Sequence, residues 1–251
     1  DMLRIADTIT ADRPELTAFT WPGAKEESLV MVFSDFLHGF GGSYRDDAGN
    51  YAFDSENAVE ALSFMKRLVD EGYSPQETSA WRGEESRRRF VEGDAIFTWH
   101  NSDLVIWLDD PERSNVVGNW NFTMTPAQPD GERVGVAGGF AFGINPHSDT
   151  PEAAARVMEV IASEEVQRGF ALAWGPVQYY EGLYEQDDIL EANPNADRIT
   201  DVLDGAINRP PSTSYTELSA ILQEEIHTAL TGGKSPREAL EDAQSRVDRL
   251  R

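Results

Sequence analysis

No cysteine occurs in the 251 residues, which excludes disulfides, thiolate nucleophiles and cysteine-based metal sites and leaves the redox compartment open. Lysine is scarce too: Lys25, Lys66 and Lys234 are the only three, so arginine supplies the other 18 of the 21 basic residues. Positive charge as a whole is short, with 45 Asp and Glu giving a formal net charge of −24. Such a balance repels phosphate backbones and anionic lipid, so a nucleic-acid partner is not expected. At about 1 M salt the screening length falls to about 3 Å and mutual carboxylate repulsion becomes tolerable, so the charge and the arginine excess point to adaptation to high salt. The alternative is an acidic protein in ordinary cytoplasm. Nor is there a run of about 18 apolar residues to span a bilayer, or a basic start followed by an apolar stretch, and the chain as given is expected to be soluble.

The familiar signatures of catalysis are missing as well. His38, His100, His147 and His227 show no HxxxH spacing, so no metal site is expected. No GxSxG, P-loop or GxGxxG motif is present. With 45 acidic residues any two carboxylates look paired somewhere, so pairing carries no information about glycoside hydrolysis. No cofactor is called for.

What is present is a core-forming chain, 40% hydrophobic, of a length suited to one large or two modest domains. Leu29, Val30, Val32, Phe33, Phe36, Leu37 and Phe40 recur at helical spacing, with Gly41-Gly42 as the stop. The clearest helix runs from a cap at Asp54 or Ser55 through Val59, Leu62, Met65, Leu68 and Val69 to Gly72. A charged helix around Glu84 to Glu92 leads into a strand "AIFTWH", and "NWNFTM", Asn119 to Met124, alternates as a second strand. A third strand is expected from Ala137 to Ile144. Its Gly138-Gly139 pair implies either bare backbone approached by another surface or a β-bulge. Thr150-Pro151 opens two short helices in succession, ending at Gly175-Pro176. Further helices are expected over Arg198 to Ile207, Tyr215 to Leu230, and from Ser235-Pro236 through Leu240, Ala243, Val247 and Leu250. Helices and strands interleave without an internal repeat, so the class is α/β and helix-rich.

Aromatic residues sit beside breakers and small polar groups in "FTWPG", "TWHNSD", "GGFAF", "AWGP" and "RPPSTSY". Rings with amide and hydroxyl neighbours suit sugars, whose C–H faces stack while their hydroxyls seek hydrogen bonds. Equally, Trp and Phe on strands are usually core. For Arg209, contact with a ligand and a tie to a carboxylate weigh the same.

The order of "FTWPGAKEESLVMVFSDFLHGFGG", "SENAVEALSFMKRLVDEG", "FVEGDAIFTWHNSD", "AGGFAFGINPHSDTPEAAARVMEVIASEEVQ", "WGPVQ", "RPPSTSYTELSAILQEEI" and "GGKSPREALEDAQSRV" resembles family 1 of the extracellular solute-binding proteins. These are the sugar-binding components of ABC importers of maltose and trehalose type. The resemblance implies a periplasmic-binding-protein (type II) architecture of two α/β lobes joined by a hinge and closing on a sugar in the cleft. It further implies that most of the N-terminal lobe is absent here. Residues 1–136 and 209–251 would be the C-terminal sugar-binding lobe, and 137–208 a hinge-crossing segment that normally packs in the other lobe. The implied ligand set is Trp21, Trp99, His100, Asn101, Gly138, Gly139, Phe140, Trp174 and Arg209. The sequence departs from many relatives in having "TWHNSD" where they carry a Trp slightly later. Implied partners are a sugar and the membrane permease subunits, with an exported location, in the periplasm or tethered to the outer face of the cytoplasmic membrane. Val157, Ile161 and Phe170 would form an uncovered apolar patch, predicting self-association. A carbohydrate-active enzyme or its accessory lobe is the alternative function, and a helical interaction module, resting on the patterned C-terminal helix, a third.

Overall fold

In the structure, a computed structural model describing residues 1–139, 141–174, 181–183, 185–192 and 202–250, the chain divides into two compact units. The larger comprises Asp1–Val136 and Ile207–Arg251, the smaller Ala137–Ala206.

The apolar stripe read from Leu29 onward winds into α2 (Glu27–Gly39), whose inner residues Leu29, Val30, Val32, Phe33 and Leu37 are buried. It ends as its two glycines predict. Gly41 takes φ +76° and its N–H donates to His38 O, while the Gly42 N–H donates to Leu37 O, a Schellman closure that satisfies the last carbonyls. After α1 (Met2–Asp12) and β1 (Thr17–Thr20), α2 is followed by α3 (Glu56–Asp70), capped by Ser55, whose hydroxyl accepts from the Ala58 N–H. Then come α4 (Gly83–Val91), β2 (Ala95–Thr98) and the short α5 (Val105–Leu108). The strands pair in parallel with Phe19 opposite Phe97, the helices α2 to α4 forming the crossover that parallel pairing requires.

The returning segment, Tyr215–Leu230 (α9) and Pro236–Val247 (α10), packs on α2 and α3 and completes the core, with Phe53, Leu62, Met65, Leu222, Ile226 and Leu240 among its buried members. Ser235 and Glu238 close a reciprocal capping box at the start of α10. Glu225, only 3% exposed on α9, accepts from Lys234 at 2.5 Å and Arg246 at 2.7 Å, so its buried charge is matched from the loop and from α10.

β3 (Gly135–Val136) and β4 (Ala206–Ile207) pair where the chain passes out of and back into the larger unit. The smaller unit carries α6 (Pro151–Ile161), α7 (Glu164–Trp174) and α8 (Asp187–Ala192), with Ala171 and Ile189 buried. α6 has no buried residue, and Val157 and Val160 are 58% and 61% exposed. Ile161 and Phe170 are half-buried.

Several expected elements take other forms. Asn119 to Met124 forms no strand: Trp120 stacks on Phe122, and the Trp120 indole N–H donates to Asp109, so side chains rather than a ladder hold it. From Ala137 to Ile144 no described residue is in a strand, β3 having ended at Val136. Of the helix expected over Arg198 to Ile207, residues 198 to 201 lie outside the described residues, 202 to 204 are helical, and Ala206–Ile207 are strand instead.

Candidate functional site

The parallel pair β1–β2 delivers both of its C-terminal extensions, Trp21 and Trp99, to one end of the sheet, where open α/β folds place their ligands. The Trp99 N–H donates to Thr20 O at 2.8 Å, continuing the pairing beyond the assigned strands. The two rings then diverge. Trp21 is 0% exposed, its indole N–H donating at 3.0 Å to Ser74 Oγ, which itself donates to Phe19 O. Its polar handle is satisfied and it belongs to the core cluster, leaving no ring face exposed.

Trp99 is half-buried, and its indole N–H donates to Asp35 Oδ2 at 2.5 Å. Asp35 lies on α2, 3% exposed, and accepts two more hydrogen bonds, from Thr125 Oγ1 to Oδ2 at 3.2 Å and from the Val136 N–H to Oδ1 at 2.9 Å. Burial pushes its carboxyl up to about 6, against the downward pull of these three donors. One carboxylate therefore fixes the ring after β2, a loop hydroxyl and the backbone of β3.

His100 and Asn101 continue the same loop. The His100 Nε2 lies 3.2 Å from Gly83 O and Nδ1 is 3.6 Å from an Asp103 carboxylate oxygen, leaving the imidazole side chain 9% exposed. Asn101 is exposed and caps the turn that follows, its carbonyl accepting from the Leu104 N–H. Arg209 sits elsewhere on the larger unit: its Nη1 donates to Glu27 Oε1 at 2.9 Å, and Tyr215 Oη donates to the same oxygen at 2.5 Å. Ser219 Oγ donates to Glu27 Oε2. Of the two weighed roles, the tie to a carboxylate is the one the structure displays. The Tyr44 phenol, pushed up to about 12 chiefly by burial, is within electrostatic reach of Asp35, Arg209 and Glu27 alike.

Gly138 and Gly139 are exposed and belong to the smaller unit. A Cβ built on Gly139 meets nothing within 4 Å, so no part of the described chain demands bare backbone there. Phe140 and the side chain of Trp174 lie outside the described residues. Sequence reasoning missed Asp35, Thr125, Glu27, Tyr215 and Ser219. The available signal was Asp35 itself, a single charge between Phe33-Ser34 and Phe36-Leu37 in an apolar helix. Among the described residues no cluster of His, Cys, Asp and Glu is arranged to hold a metal ion, and no helix is long and apolar enough to cross a membrane.

A parallel α/β unit with its loop aromatics at the strand ends and two crossings to a second unit is the architecture of the periplasmic-binding-protein (type II) class. The chain belongs to the family described as bacterial extracellular solute-binding protein, whose model matches residues 1–168. Among solved structures it resembles maltose-bound T. maritima MalE3 at 28% identity and a TM-score of 0.94, over 100% of this chain and 64% of that one. It is 24% identical, over 95% of its length, to a Deinococcus radiodurans protein described as a probable ABC transporter-binding protein. It is likewise 24% identical, over 92% of its length, to a Sinorhizobium fredii protein described as a probable amino-acid ABC transporter periplasmic-binding protein, y4oP. The chain spans 57% and 49% of the lengths of these two relatives.

Proposed function

We propose that this chain belongs to the substrate-binding component of an ABC importer for a sugar, a di- or oligosaccharide of maltose or trehalose type. It acts without catalysis, from an exported location, and passes its ligand to membrane permease subunits. The observation that carries this reading is Trp99. Its half-buried ring stands at the C-terminal end of β2, oriented by a buried carboxylate and followed by the amide of Asn101, and MalE3, with the similar fold, holds maltose. Residues 1–136 and 209–251 serve as the C-terminal lobe, Trp99 as the stacking platform, and Asn101 and His100 as polar partners for hydroxyls. Arg209 contributes through the donors that Glu27 leaves free.

Calorimetric titration of the protein with maltose, trehalose and larger glucans tests this. Binding should weaken about 10- to 100-fold in Trp99→Ala, the loss expected when one stacking ring is removed from a small site. Failure of every sugar to bind, or affinity indifferent to Trp99→Ala, overturns the reading. The similarity to y4oP supports a second ligand class, and a panel of amino acids in the same titration decides between them. Oligosaccharide recovered unchanged after incubation speaks for the receptor, and turnover for the enzyme.

A further inference from the structure

The two places where the chain leaves and re-enters the larger unit are both fastened to α2 by carboxylates. Asp35 accepts the Val136 N–H at the end of β3, and Glu27 holds Arg209 two residues after β4. Asp35 differs from Glu27 in what else it holds, because the Trp99 indole N–H and the Thr125 hydroxyl both donate to its other oxygen. The segment between Thr125 and Val136 is itself seated on the end of α2. The Gln128 N–H donates to Gly39 O, the Glu132 N–H donates to His38 O, and a Cβ on Gly131 would stand 2.0 Å from Gly39 O. Neither ring nor strand can shift without changing the hydrogen bonding of one buried, 3% exposed carboxylate.

We propose that Asp35 is a positioning residue that couples the orientation of the Trp99 ring to β3, so that displacement of the ring is transmitted to the strand through which the chain leaves the larger unit. The importance of this coupling for solute uptake rests on the receptor reading, but the coupling itself is a property of the ligand-free chain. The carboxyl of Asp35, pushed up to about 6, adds a signature that packing alone lacks: ring and strand should sense the same titration. The neighbouring titratable and charged groups are few. Tyr44 is held neutral by burial and by Asp35 among others, with Glu27 and Arg209 also acting on it. His38, one turn along α2 and facing Glu132, is lowered by burial.

The test uses the full chain, with Trp99→Phe removing the indole donor but keeping a ring, and Asp35→Asn removing the charge but keeping the shape. Exchange of the Val136 amide, read by NMR, should accelerate about tenfold or more in either variant and no further in the double variant, as for residues acting through one shared contact. The Trp99 indole N–H and the Val136 amide should also titrate with a common midpoint that vanishes in Asp35→Asn. Any titration of His38 persists in that variant and is thereby separated. Unchanged Val136 exchange in Trp99→Phe, multiplying effects in the double variant, or two different midpoints overturn the proposal. Should Asp35→Asn fail to fold, Trp99→Phe and the wild-type titration decide alone. Titration of the protein with maltose and trehalose and with the amino-acid panel forms a separate arm. If neither panel binds while the coupling holds, the receptor reading fails and this inference stands. If a solute from either panel binds and Val136 is indifferent to Trp99, the reverse follows.

Discussion

A buried carboxylate that holds its proton more tightly than in the unfolded chain makes the protein weaker as pH rises, and Asp35 is such a group. Its folded value of about 6 lies above the ordinary 3.8, so between about pH 4 and pH 6 the folded state binds the extra proton and loses that advantage as the pH climbs. The difference in stability between wild type and Asp35→Asn should therefore move against the wild type over that interval, by up to roughly 3 kcal/mol. Urea unfolding of both proteins at either end of the interval measures it. Surface carboxylates drawn down by arginine, such as Glu56 beside Arg237 and Glu224 beside Arg246, work in the opposite sense but are common to both proteins and cancel. At this scale the sequence was only partly readable. Trp99 could be singled out because it follows an alternating strand into a polar loop. Trp21 has the same local look, yet its ring is enclosed, because burial depends on the distant Ser74 and the surrounding helices. The role of Asp35 depends on partners 64, 90 and 101 positions away, which no local pattern contains.

Elements with their own punctuation were legible. The helix after Ser55, the one after Ser235-Pro236 and the stop at Gly41-Gly42 carry caps within a few residues of the hydrogen bonds they make, and the structure places them as expected. Strands were legible only in part: the one expected at "AIFTWH" is β2, but alternation describes a face and a strand also requires a neighbour. Trp120, Phe122 and Met124 alternate, but the segment is held by indole and ring contacts instead. The seating of the loop on α2 was equally invisible, since Gly131 looks like ordinary turn glycine. Gly131→Ala would drive a methyl into the Gly39 carbonyl, at 2.0 Å, where the nearest atoms are all backbone of Gly39 and His38 and no flexible side chain can yield. The expected cost is about 1–3 kcal/mol, with a lowered denaturant midpoint and faster exchange of the Gln128 and Glu132 amides. Gly139→Ala, with nothing within 4 Å, should be nearly silent in the same assay.

For the molecule as a whole, composition and exposed apolar surface make separate predictions. A charge of −24 on 251 residues is self-repulsive in dilute buffer, so the melting temperature should rise as KCl increases from about 0.1 M to about 2 M, and a flat response would remove the case for a salt-adapted protein. Among the described residues, six of the eight large apolar side chains left exposed belong to the smaller unit: Phe142, Ile144, Val157, Val160, Leu172 and Leu203. We expect the chain to self-associate through exposed apolar side chains of this unit, with sedimentation showing a concentration-dependent mass that reverts to monomer in Val157→Asp with Val160→Asp. Those sites are already solvent-facing on α6, so the double variant should retain its fold. The class of fold and the family were readable because they rest on the order of many capped helices, which survives even where single strands are misjudged.

α2 is the common mooring of both passages out of the larger unit, Asp35 holding one and Glu27 the other. Whatever tilts or slides that rod displaces the two exits together, so the inner face of α2 cannot be repacked to retune one of them alone.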